Sequence, residues 1–134
     1  MILDASPILA VLFEEQARDA ILDLLDETEV VAAGAPTLVE TSLVAAAWLG
    51  VDGRTLVRSF VEDSAIDVIP FGAEHWRAAT DAYVRYGKGR HPARLNFGDC
   101  LTYATASVAG QPLLALDDDF AQTDLELVSL DLDM

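Results

Sequence analysis

Short apolar runs alternate with longer amphipathic stretches along the chain. Residues 1–4 (MILD) read as a short buried strand, and Ser6 followed by Pro7 gives the expected helix start, a hydroxyl N-cap with proline in the first helical position. Ile8, Leu9, Leu12 and Phe13 then share one helical face. A second helix is expected over about 16–27, with Ala17, Ile21, Leu24 and Leu25 inward, and a short strand over 29–33 ends at Gly34. Pro36 and Thr37 open a helix that runs to Leu49 and stops at Gly50, and another follows over about 53–64. A strand over 66–69 closes at Pro70, and a helix covers 73–86. After a Gly-rich, basic loop at 87–96, Asn96 caps a helix through Val108 that is stopped by Gly110 and Pro112. Strands over 113–116 and 125–130 complete the set. Apolar strands this short, alternating with helices, belong to a parallel sheet covered on both faces. The expected class is α/β, a three-layer α/β/α arrangement around a central, mainly parallel sheet of about four or five strands.

Composition narrows the picture. With 134 residues, 52% of them apolar, and a mean hydropathy of +0.30, the chain can bury a core and is not disordered. No apolar run reaches the roughly 18–20 residues that span a bilayer. The apolar, Ala-rich stretch at 43–49 reads as a buried helix. The N-terminus has no basic segment ahead of an apolar one, so no secretory signal is expected. A lone cysteine, Cys100, forms no internal disulfide and suits a reducing cytoplasm; its expected role is packing.

Charge pulls two ways. A net −15 and a pI near 4.1 repel polyanions. Yet Arg85, Lys88, Arg90 and Arg94, half of the eight Lys and Arg residues, fall in one short window with His91. Attraction for phosphate is therefore local, while the remaining acidic surface either serves solubility alone or invites a cationic partner and bound metal.

The chemistry is expected at four acidic positions. Asp4 ends the first strand, Glu40 lies about one turn into its helix, Asp99 sits in the first turn of another, and Asp117-Asp118-Asp119 follows the 113–116 strand. Ligands of open parallel sheets gather outside the carboxyl ends of the strands, where these acids lie. Hard cations such as Mg²⁺ take oxygen ligands, so such a cluster builds a metal site without His or Cys. Each acid also has a plain alternative: a strand-end residue, a first-turn helix acid or a solvated turn. Glu40 is the most telling, because Leu38, Val39, Leu43 and Val44 surround it and a buried carboxylate there needs a partner.

Four segments carry a resemblance that spans essentially the whole chain: ILDASPILA, PTLVETSLV around Glu40, YGKGRHPARLNFGDCLTYATA and QPLLALDDDFAQTDL. Together they resemble the PIN domain, and within it the VapC-type ribonuclease toxins of toxin–antitoxin pairs. The resemblance implies one nuclease domain over residues 1–134. It implies that Asp4, Glu40 and Asp99 are metal-site acids, with Asp4 and Asp99 as direct ligands of one or two Mg²⁺ or Mn²⁺ ions. The fourth acid is Asp119 or Asp117, with Asp119 preferred. Ser6 matches a hydroxyl that orients the first carboxylate, and Asn96 a polar position before the third acid. Relatives often carry Lys-Gly or Thr ahead of the last acids, where this chain has Ala115 and Leu116, so a phosphate contact is missing there.

The function so implied is a metal-dependent endoribonuclease toxin of the cytoplasm. A cognate VapB-type antitoxin would cover its acidic groove, as part of a homodimer or a toxin–antitoxin hetero-oligomer. Arg85, Lys88, Arg90, His91 and Arg94 are then expected on RNA phosphates. Trp48, Trp76, Tyr83 and Tyr86 suit core or interface packing, and the apolar helices at 8–12 or 38–49 offer a dimer surface. Two other readings are a non-catalytic binding module on the same fold and a DNA-directed nuclease.

Overall fold

The computed structural model describes residues 1–89 and 91–131. The chain runs β1 (Ile2–Leu3), α1 (Ala5–Leu12), α2 (Arg18–Glu27), β2 (Ala32–Gly34), α3 (Ala35–Leu49), α4 (Val51–Asp63), β3 (Asp67–Ile69), α5 (Ala73–Tyr86), α6 (Phe97–Ala109) and β4 (Leu113–Leu114). The four strands form one parallel sheet in the order β3-β2-β1-β4. Ile2 pairs with Ala32 on one side and with Leu113 on the other.

Period-two alternation divides the core. Ile2, Ala32 and Leu113 point to a cluster with Ala79, Ala82, Tyr86, Tyr103 and Phe120, so α5 and α6 cover that face. Leu3, Ala33 and Leu114 point to the opposite cluster with Ile8, Val11, Ile21 and Phe60, so α1, α2 and α4 cover the other. This is the expected three-layer α/β/α arrangement.

Several local expectations change. The fifth strand over 125–130 reduces to a bridge between Leu113 and Leu127, with Leu113 N–H donating to Glu126 O and Val128 N–H to Leu113 O. The first helix starts at Ala5, and its cap is Asp4, whose carboxylate accepts from Ser6 N–H. Ser6 and Pro7 therefore lie inside the first turn. Asn96 does cap α6, in a reciprocal box with Asp99.

The stretch at 43–49 is not buried. Only Thr37, Thr41 and Ala45 of α3 are buried, whereas Val39, Leu43, Trp48 and Leu49 are exposed, Trp48 at 76%. Within α1, Ile8, Ala10 and Val11 face the core, while Leu9 and Leu12 are half-buried. Of the four aromatic residues expected to pack, Tyr86 is buried, Trp48, Trp76 and Tyr83 are exposed, and the Trp48 ring lies 6.2 Å from that of Phe13. Cys100 is buried, and desolvation followed by the charge of Asp99 pushes its thiol up to about 11.

One glycine fixes how α3 and α4 meet. A methyl group on Gly53 would overlap the backbone carbonyl of Ala45, which cannot swing aside. Replacing a mid-helix Gly by Ala ordinarily gains up to about 1 kcal/mol of helix propensity. Here overpacking opposes it at about 1–3 kcal/mol, so Gly53→Ala is expected to lower the unfolding free energy, read by urea denaturation.

Candidate active site

In a parallel sheet all strands deliver their carboxyl ends to one edge, and the following helices begin there. Asp4 leaves β1 at this edge, Asp117 follows β4, and Glu40 lies in the second turn of α3, which springs directly from β2. Asp99 comes to the same place on the first turn of α6.

Asp4 is the most deeply set, 6% exposed. Its Oδ2 accepts from Ser6 Oγ at 2.8 Å, with Ser6 N–H farther off at 3.4 Å. Ser6 Oγ in turn accepts from Leu116 N–H at 3.0 Å, which ties Asp4 to the backbone just before Asp117. The other oxygen, Oδ1, accepts from Thr102 Oγ1 at 3.1 Å, and Thr102 Oγ1 lies 3.2 Å from Thr37 Oγ1. Sequence reasoning missed Thr102 altogether and read Thr37 only as part of a helix start. The available signal was spacing: Thr37 precedes Glu40 by three residues and Thr102 follows Asp99 by three, so each shares a helical face with an acid.

Asp99 is 8% exposed. Its Oδ2 accepts from Asn96 N–H at 3.1 Å, and Asn96 Oδ1 accepts from Asp99 N–H at 2.9 Å. Desolvation pushes its carboxyl up to about 7, opposed by the Asn96 hydrogen bond and reinforced by Asp119, Asp4 and Asp117. Asp117 is raised by desolvation, then by Asp4 and Asp119, while Asp119 N–H donates to it at 3.2 Å. Glu40 is raised by desolvation, then by Asp4 and Asp117. Glu40 is nevertheless solvent-exposed rather than buried as its apolar neighbours implied, because Val39 and Leu43 beside it also face outward. Its carboxylate rests on Gly98: a methyl group there would collide with Glu40 Oε2.

The structure thus brings five carboxylates within one another's field, and among the described residues none of them is in an ion pair. The donor set is all oxygen, which fits a hard divalent cation. Among the described residues, however, no three side chains stand ready-closed around an ion. Unneutralised carboxylates repel, and that repulsion opposes a tight cage.

Two cavities flank the acids. A polar one of about 440 Å³ is lined by Asp99 and Asp119 on one side and by Lys88, Pro92 and Arg94 on the other. A larger one of about 850 Å³ is apolar, walled by Val39, Leu43, Phe71, Phe97 and Leu101, and reaches the acids only at Glu40. Of the basic window, Lys88 and Arg94 therefore reach the acidic site, Arg94 from a left-handed backbone at φ 57°. Arg85 turns away: it pairs with Asp124 at 3.6 Å and stacks on Tyr86. The His91 ring meets Tyr86 edge-on, and its Nδ1 accepts from Ala93 N–H at 3.0 Å, which braces the loop. Arg90 lies outside the described residues.

Comparison with known proteins agrees with this architecture. The PIN domain family model matches residues 1–126. Ribonuclease VapC36 of Mycobacterium tuberculosis is 42% identical over 127 residues, covering 94% of this chain and 91% of that protein. Ribonuclease VapC of Mycolicibacterium smegmatis is 34% identical over 128 residues, covering 96% and 99%. Among solved structures, the Mycobacterium tuberculosis toxin VapC20, described as cleaving the sarcin-ricin loop, superposes with a TM-score of 0.78 at 18% identity, over 95% of this chain and 97% of that one. VapBC2 of Rickettsia felis, bound to a DNA fragment of its promoter, gives 0.76 at 16% identity, over 97% and 98%. With a family model matching almost its full length and relatives this similar along the whole fold, the chain belongs to the PIN-domain family of VapC ribonucleases.

Proposed function

We propose that the chain is a divalent-metal-dependent endoribonuclease toxin, restrained by an antitoxin that occupies the groove beside its acids. The observation that carries this reading is the gathering of Asp4, Glu40, Asp99, Asp117 and Asp119 at one sheet edge, where the carboxyls of Glu40, Asp99 and Asp117 are pushed up by desolvation and by neighbouring acids. Carboxyls crowded and raised in this way cluster at catalytic sites, which favours an enzyme over a pure binding module. The ribonuclease names of the relatives supply the substrate class.

Asp4 and Asp99 would hold Mg²⁺ or Mn²⁺, one ion or two. A bound cation supplies a water of lowered pKa and stabilises charge on the leaving oxygen. The protein's own part is positional. Asp4 is oriented by Ser6 and Asn96 fixes Asp99 through the capping box. Glu40, with Asp119 or Asp117, accepts the proton of the attacking water at its carboxylate. Asp119 is the largest charge acting on Asp99, whereas Asp117 acts on both Glu40 and Asp99, so both belong to the proposal. Lys88 and Arg94 would hold RNA phosphates across the polar cavity, with His91 of the same loop joining them; Arg85 would have to leave Asp124 to do so, and Arg90, outside the described residues, is proposed on its sequence alone. The apolar cavity running from Glu40 supports a protein partner, and solved relatives in the family are toxin–antitoxin complexes. Its proposed site of action is the cytoplasm, where the RNA substrate lies; among the described residues no helix is long and apolar enough to cross a membrane.

Induction of wild-type protein is expected to create new RNA 5′ ends at a few defined sites, and Asp99→Asn to remove them; mapping those ends across the transcriptome decides it. Ends that persist in the variant, or none in wild type, would sink the enzyme reading.

Gly98→Ala tests Glu40 separately. The added methyl meets the flexible end of Glu40 rather than backbone, so melting temperature should hold while RNA cleavage falls, roughly 10-fold or more for a displaced catalytic group. Comparing melting curves with initial rates checks both halves.

Stability of the metal-free protein should depend on pH in a defined sense. The Asp99 carboxyl rises from 3.8 to about 7 on folding, so its contribution to stability is complete below about 4 and lost as pH climbs through about 7. In EDTA the melting temperature should be higher at pH 5.5 than at pH 8. Saturating Mn²⁺ should raise it most at pH 8, where the acids are ionised; scanning fluorimetry at both values reads the difference.

A further inference from the structure

Four threonines of α3 and α6 are buried, and they satisfy their hydroxyls in two different ways. Thr41 donates to Thr37 O at 2.7 Å and Thr105 to Leu101 O at 2.9 Å, each back to its own helix four residues earlier. That is the ordinary solution for a threonine inside a helix. Thr37 and Thr102, 3% and 1% exposed, instead send their hydroxyls across the gap between α3 and α6 to each other, and from there to Asp4.

Counting protons gives that chain a direction. Thr102 Oγ1 donates to Asp4 Oδ1, which uses the single proton of its hydroxyl. Thr37 must then donate to Thr102. The other oxygen of Asp4 is held by a matching relay, in which Leu116 N–H donates to Ser6 Oγ and Ser6 Oγ–H donates to Oδ2. Both oxygens of Asp4 are thus fixed by hydroxyls that are themselves fixed from behind. The two relays draw on different acids: Thr37 lies one turn from Glu40, Thr102 one turn from Asp99, and Leu116 directly precedes Asp117.

We propose that Thr102, backed by Thr37, is a positioning residue that sets the Asp4 carboxylate and holds the α3 and α6 acids in register with it. The inference rests on the reading of the acids as a metal-dependent ribonuclease site. A valine fills the same volume as threonine, so packing alone gives no reason for either hydroxyl. Removing one leaves a carboxylate oxygen at the wall of the site free to rotate, and losses of roughly 10–100-fold in metal affinity or activity follow when an outer partner of a liganding carboxylate is removed.

The test uses the purified full chain with Mn²⁺ and an RNA oligonucleotide. Two readouts are taken, steady-state cleavage and the Mn²⁺ midpoint of the rise in melting temperature. Thr102→Val is expected to lower kcat and raise the Mn²⁺ midpoint, each roughly 10–100-fold, with KM for RNA unchanged. Thr102→Ser, which keeps the hydroxyl, should recover most of both. Thr37→Val should act in the same sense but less, and Thr37→Val added to Thr102→Val should cost nothing more, because the two act in series. Three results would overturn the proposal: a Thr102→Val protein with wild-type kcat and midpoint, a Thr102→Ser protein as impaired as Thr102→Val, or multiplying losses in the double variant. Should wild type cleave no RNA, the ribonuclease reading fails and the midpoints alone decide the positioning role. If Mn²⁺ shifts no melting curve, wild type included, the positioning proposal falls, while cleavage still decides the ribonuclease reading.

Discussion

The structure turns on one buried negative charge. Asp4 sits at the end of a strand buried on both faces, where an unsolvated carboxylate is costly unless hydrogen bonds surround it. The fold meets that cost with groups the parallel topology delivers to one edge. These are the first turn of α1, which Asp4 caps, a hydroxyl from that same turn, and a hydroxyl from α6. The positive ends of helices begin where the strands end, so their dipoles partly offset the crowding of acids. What they leave uncompensated shows in the raised carboxyls of Glu40, Asp99 and Asp117.

Elements announced by local chemistry were legible in the sequence. The helix Ala73–Tyr86 and the Asn96 cap follow from periodicity and capping residues that act over a few positions. The strands were legible because buried parallel strands are short apolar runs between breakers. The exposure of α3 was not. Its residues are apolar on nearly every side, which reads as burial, and only the packing of Thr37, Thr41 and Ala45 shows which stripe turns inward. The missing fifth strand has a similar cause: Leu125 and Leu127 alternate as a strand should, but only Leu127 finds a partner.

The acids were legible individually and through the resemblance, while the machinery behind them was not. Ser6 and Asn96 stand beside an acid in sequence, so their roles are local. Thr102 reaches Asp4 across 98 positions and Thr37 reaches Thr102 across 65, and nothing in the type of either residue distinguishes it from Thr41 or Thr105. The basic window divides for the same reason. Lys88 and Arg94 meet the acids across the polar cavity, but Asp124, 39 residues downstream, claims Arg85.

That division bears on how a chain of net charge −15 can hold a polyanion. Fields of exposed charges fade over about 8 Å at physiological salt, so the bulk of the acidic surface matters less to a bound phosphate than what lies within a few ångströms. Lys88 and Arg94 line the polar cavity beside Asp99 and Asp119, and in the proposed reading they are the basic groups at that range. On the other side Glu40 stands at the mouth of an apolar cavity, its carboxylate against Gly98 and its neighbours Val39, Leu43 and Phe97 exposed, Phe97 at 78%. The same glutamate therefore belongs to the acid cluster and to the wall of the apolar groove.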